Sequence, residues 1–356
     1  MTDNQDIIFQ VKGALGVITL NRPKALNALN HGMCTAIYDQ LQVWADDAAI
    51  GAVLIKGAGE KAFCAGGDVV SLYHSGKAYV GGDESSKAWR DFFYAEYRMN
   101  AAIADFPKPY IALMDGFTMG GGVGVSVHGS HRIASENTKL SMPETGLGLI
   151  PDVGGGYFMP RLVGKMGMFL ALTGMRVKAG DCVDMGICGF YVPSAKHEQL
   201  LASLGAEQKL DQEVVTRLLN SFSEKPEAGV LKEKQALIDS LFAPDSVEGI
   251  MSALRAEGSS WSMGIADNLE KMSPTSLKLT FRQMLLGKDL SMHDDLKMEF
   301  RLVNRILAAH DFYEGVRALL VDKDFSPKWN PDKLANVSDA EIEKYFAELG
   351  DLELKF

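Results

Sequence analysis

Two acids, Glu144 and Asp152, stand in the stretch Ser141-Met142-Pro143-Glu144-Thr145-Gly146-Leu147-Gly148-Leu149-Ile150-Pro151-Asp152-Val153-Gly154-Gly155-Gly156, which carries no other charge. If they meet in a dry pocket, burial and mutual repulsion raise the pKa of at least one, so that one can act as base or nucleophile while the other stays protonated. The alternative is structural: either acid could cap the helix expected to start near Gly155. Upstream, two apolar runs lead into glycine turns. Residues 52–55 precede Phe63-Cys64-Ala65-Gly66-Gly67-Asp68, and residues 110–114 precede Met119-Gly120-Gly121-Gly122-Val123-Gly124. A chain passing from strand to helix leaves its first N–H groups unpaired at the positive end of the helix dipole. Gly67 and Gly121 are therefore candidates to hold the charge that collects on a carbonyl oxygen under attack. Losing one such donor costs roughly a hundredfold to a thousandfold in rate. A single glycine pair is explained by tight turning or close packing; two matched turns weaken that explanation.

The elements that must position these groups alternate in the first half. Residues 17–20, 31–45 and 52–55 follow a strand, helix, strand rhythm, and after a helical stretch at 87–104 the prolines Pro107 and Pro109 precede a new strand at 110–114. An α/β layout follows, with its unit repeated once. From about residue 160 the strand signal fades, and residues 165–173, 211–221, 246–256, 276–286 and 298–309 have helical periodicity. The boundary is expected near residue 205, giving an α/β core over 1–205 and a mainly helical region over 206–356.

The chain of 356 residues, 47% hydrophobic and 23% charged, is long enough for a sizeable core and about two domains. Its net charge of -10 argues against bulk attraction to nucleic acid or an anionic membrane, and no stretch reaches the ~20 apolar residues of a span. Small molecules are the expected partners. GxGxxG cannot be laid on residues 120–129 and GxxxxGK[ST] occurs nowhere in the sequence, which removes NAD and nucleoside triphosphates. Cys34, Cys64, Cys182 and Cys188 have no framework spacing, and residues 1–12 do not read as a signal peptide, so the cytoplasm is expected. His128 and His131 lack a third ligand pattern, so no metal is expected, and Cys64 has no paired histidine signal and reads as core.

Leu20-Asn21-Arg22-Pro23-Lys24-Ala25-Leu26-Asn27-Ala28-Leu29, Ala65-Gly66-Gly67-Asp68, the triple glycine and Met142-Pro143-Glu144, in this order and spacing, resemble the crotonase (enoyl-CoA hydratase/isomerase) superfamily. The segments 115–129, 151–158, 273–278 and 311–318 extend the likeness, towards its thioester-hydrolase branch, over nearly the whole chain. The resemblance implies a spiral of ββα units with a helical C-terminal region. It also implies an oxyanion hole from Gly67 and Gly121, catalytic Glu144 and Asp152, and a substrate-contacting Glu96. Arg22, Lys24, Ala25, Ala65 and Lys323 become candidates for contacts to the acyl-CoA. Coenzyme A is then part of the substrate, and no separate cofactor is implied. Superfamily members assemble as trimers or hexamers, so a homo-oligomer is one expectation, and cover of the site by the helical half of one subunit is the other. A hydratase needs two glutamates, and the first is replaced here by Gly124, which does no proton chemistry. The expected reaction is hydrolysis of a short β-hydroxyacyl-CoA, with Glu144 either attacking the carbonyl carbon or activating water. The alternatives are alkene hydration or isomerisation on the same fold, and a silent protein that binds acyl-CoA or nucleic acid.

Overall fold

The computed structural model describes residues 5–83 and 86–356. Two compact units emerge, each drawn from three segments: Met1–Gly67, Arg98–Ser141 and Arg176–Lys232 in the first, Asp68–Tyr97, Met142–Met175 and Glu233–Phe356 in the second.

The first unit holds ten strands among the described residues: β1 Ile7–Lys12, β2 Leu15–Leu20, β3 Ala52–Gly57, β4 Ala62–Cys64, β5 Tyr110–Met114, β6 Phe117–Met119, β7 His131–Ala134, β8 Lys139–Ser141, β9 Val177–Lys178 and β10 Phe190–Tyr191. They form a six-stranded sheet in the order β1-β2-β3-β5-β7-β10 and a four-stranded sheet in the order β4-β6-β8-β9. The pairs β3/β4, β5/β6 and β7/β8 each give one strand to each sheet, and each new pair lies parallel beside the last. This is the expected spiral of ββα units, with one strand pair more than the sequence suggested. β7 and β8 are too short, four and three residues, to carry a readable period.

Parallel strands are covered on both faces and so read as continuous apolar runs. Four of the six residues of β3, Ala52, Val53, Leu54 and Ile55, are fully buried. Leu15, Val17, Leu54, Ile111 and Ile133 of the large sheet cluster with Leu200, Leu201 and Leu204 of the helix His197–Ala206 and Val215 and Leu219 of the helix Gln212–Phe222. The boundary expected near residue 205 thus falls inside the last segment of the first unit, within the helix His197–Ala206, because that helix and the next bury their apolar faces against that unit's sheet.

The second unit is helical, and serines set several of its starts. Ser246, Ser259, Ser273 and Ser291 each accept a hydrogen bond from an N–H in the first turn of the helices Val247–Glu257, Ser260–Leu269, Pro274–Gly287 and Met292–Ile306. The last of these begins six residues before the periodic stretch expected at 298–309, at the cap supplied by Ser291. Among the described residues no helix is long and apolar enough to cross a membrane.

Close backbone packing leaves little room for a side chain at Gly122. A Cβ at Gly122 would lie 2.1 Å from the Cys64 carbonyl oxygen, whereas one at the exposed Gly264 would meet open space. In urea unfolding, Gly122→Ala should lose about 1–3 kcal/mol. Gly264→Ala should gain up to about 1 kcal/mol from helix propensity. Equal shifts in the two variants would contradict the close approach.

Candidate active site

In the first unit the two glycine turns lie side by side: a Cβ built on Gly66 would stand 3.3 Å from the Met119 carbonyl oxygen and 3.7 Å from the Gly121 nitrogen. Both turns need glycine, with φ of 105° at Gly66 and φ 47°, ψ −123° at Gly120. Gly121 is the first residue of the helix Gly121–Val127, where N–H groups have no intrahelical carbonyl within reach. Gly67 is bridged to Leu29, and the turn is fixed by Leu29 N donating to Gly66 O at 2.8 Å and Ala65 N to Leu26 O at 3.0 Å. The amide of Ala65 is thereby engaged within the fold.

The preceding loop is tied by its own polar groups. Arg22 Nη1 donates to Ala28 O at 2.7 Å, and Nε lies 3.7 Å from Asp6. Asn27 Nδ2 donates to Ala58 O and Ala62 O. Arg22 therefore shapes the 22–28 loop through its guanidinium, while Lys24 and Ala25 are exposed. His131 is fixed between Ser130 and Thr216, each 2.9 Å away, and Cys64 Sγ points to Gly66 O at 3.7 Å.

The second unit gathers acids. Glu96, Glu144, Asp152, Asp295 and Glu299 are all at least 95% buried. Tyr97, beside Glu96 on the helix Ala88–Ala104, donates to Asp152 Oδ2 at 2.7 Å. Burial pushes Asp152 up to about 6, against the pull of the Tyr97 hydroxyl and the acid's own backbone N–H. Glu144 is raised well above the usual carboxylate range by burial and then by the charge of Asp152. Its Oε2 has no hydrogen-bond partner among the described residues. Glu96 is raised by burial and by both Asp152 and Glu144, and its Oε1 is likewise unpartnered. Such groups hold protons at neutral pH or, once ionised, react without a hydration shell.

The structural alternative for the two acids does not hold. The helix Gly155–Phe158 has Gly154 at its N-cap and no side-chain cap, and Asp152 contributes only its carbonyl, which accepts from Gly155 N at 2.8 Å. Of the residues expected from sequence, Glu96, Glu144 and Asp152 are brought together in the second unit, and Gly67, Gly121 and Ala65 in the first. Lys323 is exposed in the second unit. Sequence reasoning missed Tyr97, Asp295 and Glu299. The last two had a signal: they stand four apart on the buried side of the helix Met292–Ile306, at positions where an amphipathic helix carries apolar residues.

Residues 15–346 match the enoyl-CoA hydratase/isomerase family. The chain belongs to that family. Within the family it is 51% identical to a Xenopus tropicalis protein named 3-hydroxyisobutyryl-CoA hydrolase, mitochondrial, over 96% of this chain and 89% of the relative. It is 44% identical to a Homo sapiens protein of the same name, over 99% and 91%. Among solved structures it is similar to a carnitinyl-CoA dehydratase from Mycobacterium thermoresistibile, with TM-score 0.92, 42% identity and 99% of each chain covered. It is also similar to an enoyl-CoA hydratase from Rhodobacter sphaeroides, with TM-score 0.89, 37% identity, and 99% and 100% covered. The expectation of a cytoplasmic location is corrected by these relatives, whose names place them in the mitochondrion. An acidic balance and cysteines without framework spacing are compatible with more than one compartment.

Burial also leaves a pH signature. Asp295 is pushed up to about 7 by burial, only partly offset by its polar surroundings, and neither of its carboxyl oxygens has a hydrogen-bond partner among the described residues. Its ionisation therefore costs more in the folded protein than in the unfolded chain, where Asp titrates near 3.9. The stability it contributes is complete below about pH 4 and is lost as pH rises through about 7. Asn carries no such penalty, so the stability of Asp295→Asn relative to wild type should improve by on the order of 2 kcal/mol between pH 5 and pH 8. Urea unfolding at both pH values checks this, and a pH-independent difference would contradict it.

Proposed function

We propose that this protein hydrolyses a short β-hydroxyacyl-CoA thioester, 3-hydroxyisobutyryl-CoA, to the free hydroxy acid and coenzyme A. The observation that carries the reading is the 44–51% identity, over nearly the whole chain, to relatives named for that reaction. Charge arising on the thioester oxygen is taken by the N–H groups of Gly67 and Gly121. Glu144, ionised and without a hydrogen bond at Oε2, either attacks the carbonyl carbon to give a mixed anhydride, which water then opens, or removes a proton from an attacking water. In both routes the carbon–sulfur bond breaks and the electron pair leaves on the coenzyme A sulfur, a thiolate whose parent thiol titrates near 8.5, so little acid assistance is needed. Asp152, held by Tyr97, orients the substrate hydroxyl or the water. Glu96 makes a further polar contact, and Arg22, Lys24, Ala25, Ala65 and Lys323 contact the remainder of the acyl-CoA.

A second reading, alkene hydration, is favoured by the names of the two solved structures. Against it stands Gly124, buried within the helix Gly121–Val127, at the position where the resemblance puts a hydratase's first glutamate. Free-thiol release from 3-hydroxyisobutyryl-CoA, set beside loss of the conjugated double bond of crotonyl-CoA, separates the two. Thiol release without hydration is expected; hydration without thiol release would overturn the assignment.

Glu144→Ala should lower kcat by about a hundredfold or more, with KM changed little. Gly121→Val, which displaces a backbone donor, should cost about a hundredfold. Because Glu144 must be ionised to act and its pKa is raised, the acid limb of the kcat/KM profile should lie above the ordinary glutamate value of about 4.3. Wild-type turnover by Glu144→Ala would remove this acid from the mechanism.

A further inference from the structure

The acid Asp152 stands on an unusual piece of backbone. Val153, directly after it, has φ 54°, and Gly154 has φ 83°, so a β-branched residue occupies the left-handed region in the middle of a tight reversal. Such a conformation persists only where its surroundings over-determine it. The helix that follows, Gly155–Phe158, is only four residues long and has no side-chain cap of its own.

Two side chains from distant helices supply what is missing. Glu299, on Met292–Ile306, accepts from Gly154 N at 2.8 Å through Oε2 and from Gly156 N at 2.9 Å through Oε1. Gln283, on Pro274–Gly287, donates through Nε2 to Pro151 O at 2.8 Å and to Glu299 Oε1 at 3.1 Å. Backbone groups on both sides of Asp152 and Val153 are thereby tied to one buried pair. Both side chains are fully buried, so no solvent competes for these bonds.

We propose that Glu299, with Gln283, is a positioning residue that grips the backbone around Asp152 and sets where that acid stands. The inference rests on the reading of Asp152 as a substrate-facing acid. Tyr97 holds the carboxylate of Asp152, and the Glu299–Gln283 pair holds the main chain beneath it, so the acid is fixed at both ends. A role in packing alone would be met at position 299 by a leucine or methionine, without withdrawing a carboxyl from water beside Asp295 and Asp152. A carboxyl offers an acceptor at each oxygen. A carboxamide at 299 would turn an N–H towards Gly154 N or Gly156 N and lose one tie.

The test uses the full chain and two variants, Glu299→Gln and Gln283→Leu, so that the failure of one to fold leaves the other. By hydrogen exchange, the segment 150–158 should exchange about tenfold faster in each variant, with wild-type rates in segments away from it. Unchanged exchange of this segment would overturn the clamp. In assays with 3-hydroxyisobutyryl-CoA, kcat should fall about tenfold to a hundredfold, with KM within about threefold of wild type. In an Asp152→Ala background the same substitutions should cost less than about twofold more, because the residue they act through is gone. Losses that multiply in that background would overturn the positioning role in favour of general structural damage. Wild-type turnover by Asp152→Ala alone would instead bring down the reading of Asp152, while exchange of the segment would still decide the clamp.

Discussion

Carboxyl groups withdrawn from water are the constraint around which the second unit is organised. Glu96, Glu144, Asp152, Asp295 and Glu299 are nearly or fully buried, and burial is the largest influence on every one of them. Full ionisation of such a group would be costly, since each charge raises the pKa of the next. The fold meets this partly by retaining protons and partly by donating to chosen oxygens. Tyr97 serves Asp152, and Gly154, Gly156 and Gln283 serve Glu299. The acid that the proposed chemistry needs most, Glu144, keeps one oxygen without a partner among the described residues.

The first unit contributes chemistry of a different kind, through backbone rather than side chains. Its two sheets advance by strand pairs, and the turns after β4 and β6 come close enough that a Cβ on Gly66 would touch the Gly121 nitrogen. A donor made from main-chain N–H carries no pKa and needs no rotamer to be fixed, so its position follows from strand register and from glycine conformations closed to other residues. Polar side chains nearby, Arg22 and Asn27 among them, spend their hydrogen bonds on holding the adjoining loop.

The parts of the fold and site that were legible in the sequence are those whose cause is local. The glycine turns could be read because strand, turn and helix follow one another within a few residues. Glu144 and Asp152 stood out as acids in a stretch without other charge. Tyr97, Gln283 and Glu299 could not be read in the same way, because their partners lie 55, 132 and 145 residues away. The third strand pair escaped because strands of three or four residues show no period. The two interleaved units were equally hidden, since each is assembled from three segments and no composition change marks their edges. Asp295 and Glu299 did leave a trace, as acids on the buried side of an amphipathic helix, and recognising it requires knowing where that helix begins.

The central physical claim is that Glu144 sits dry, beside another acid, and holds its proton beyond the range of an ordinary glutamate. Infrared difference spectroscopy of wild type against Glu144→Gln, followed across pH, reads that single carboxyl. A protonated carboxyl band persisting well above the ordinary midpoint of about 4.3 is the expected result. A band that disappears around that ordinary midpoint would show Glu144 in water-like surroundings and contradict the claim.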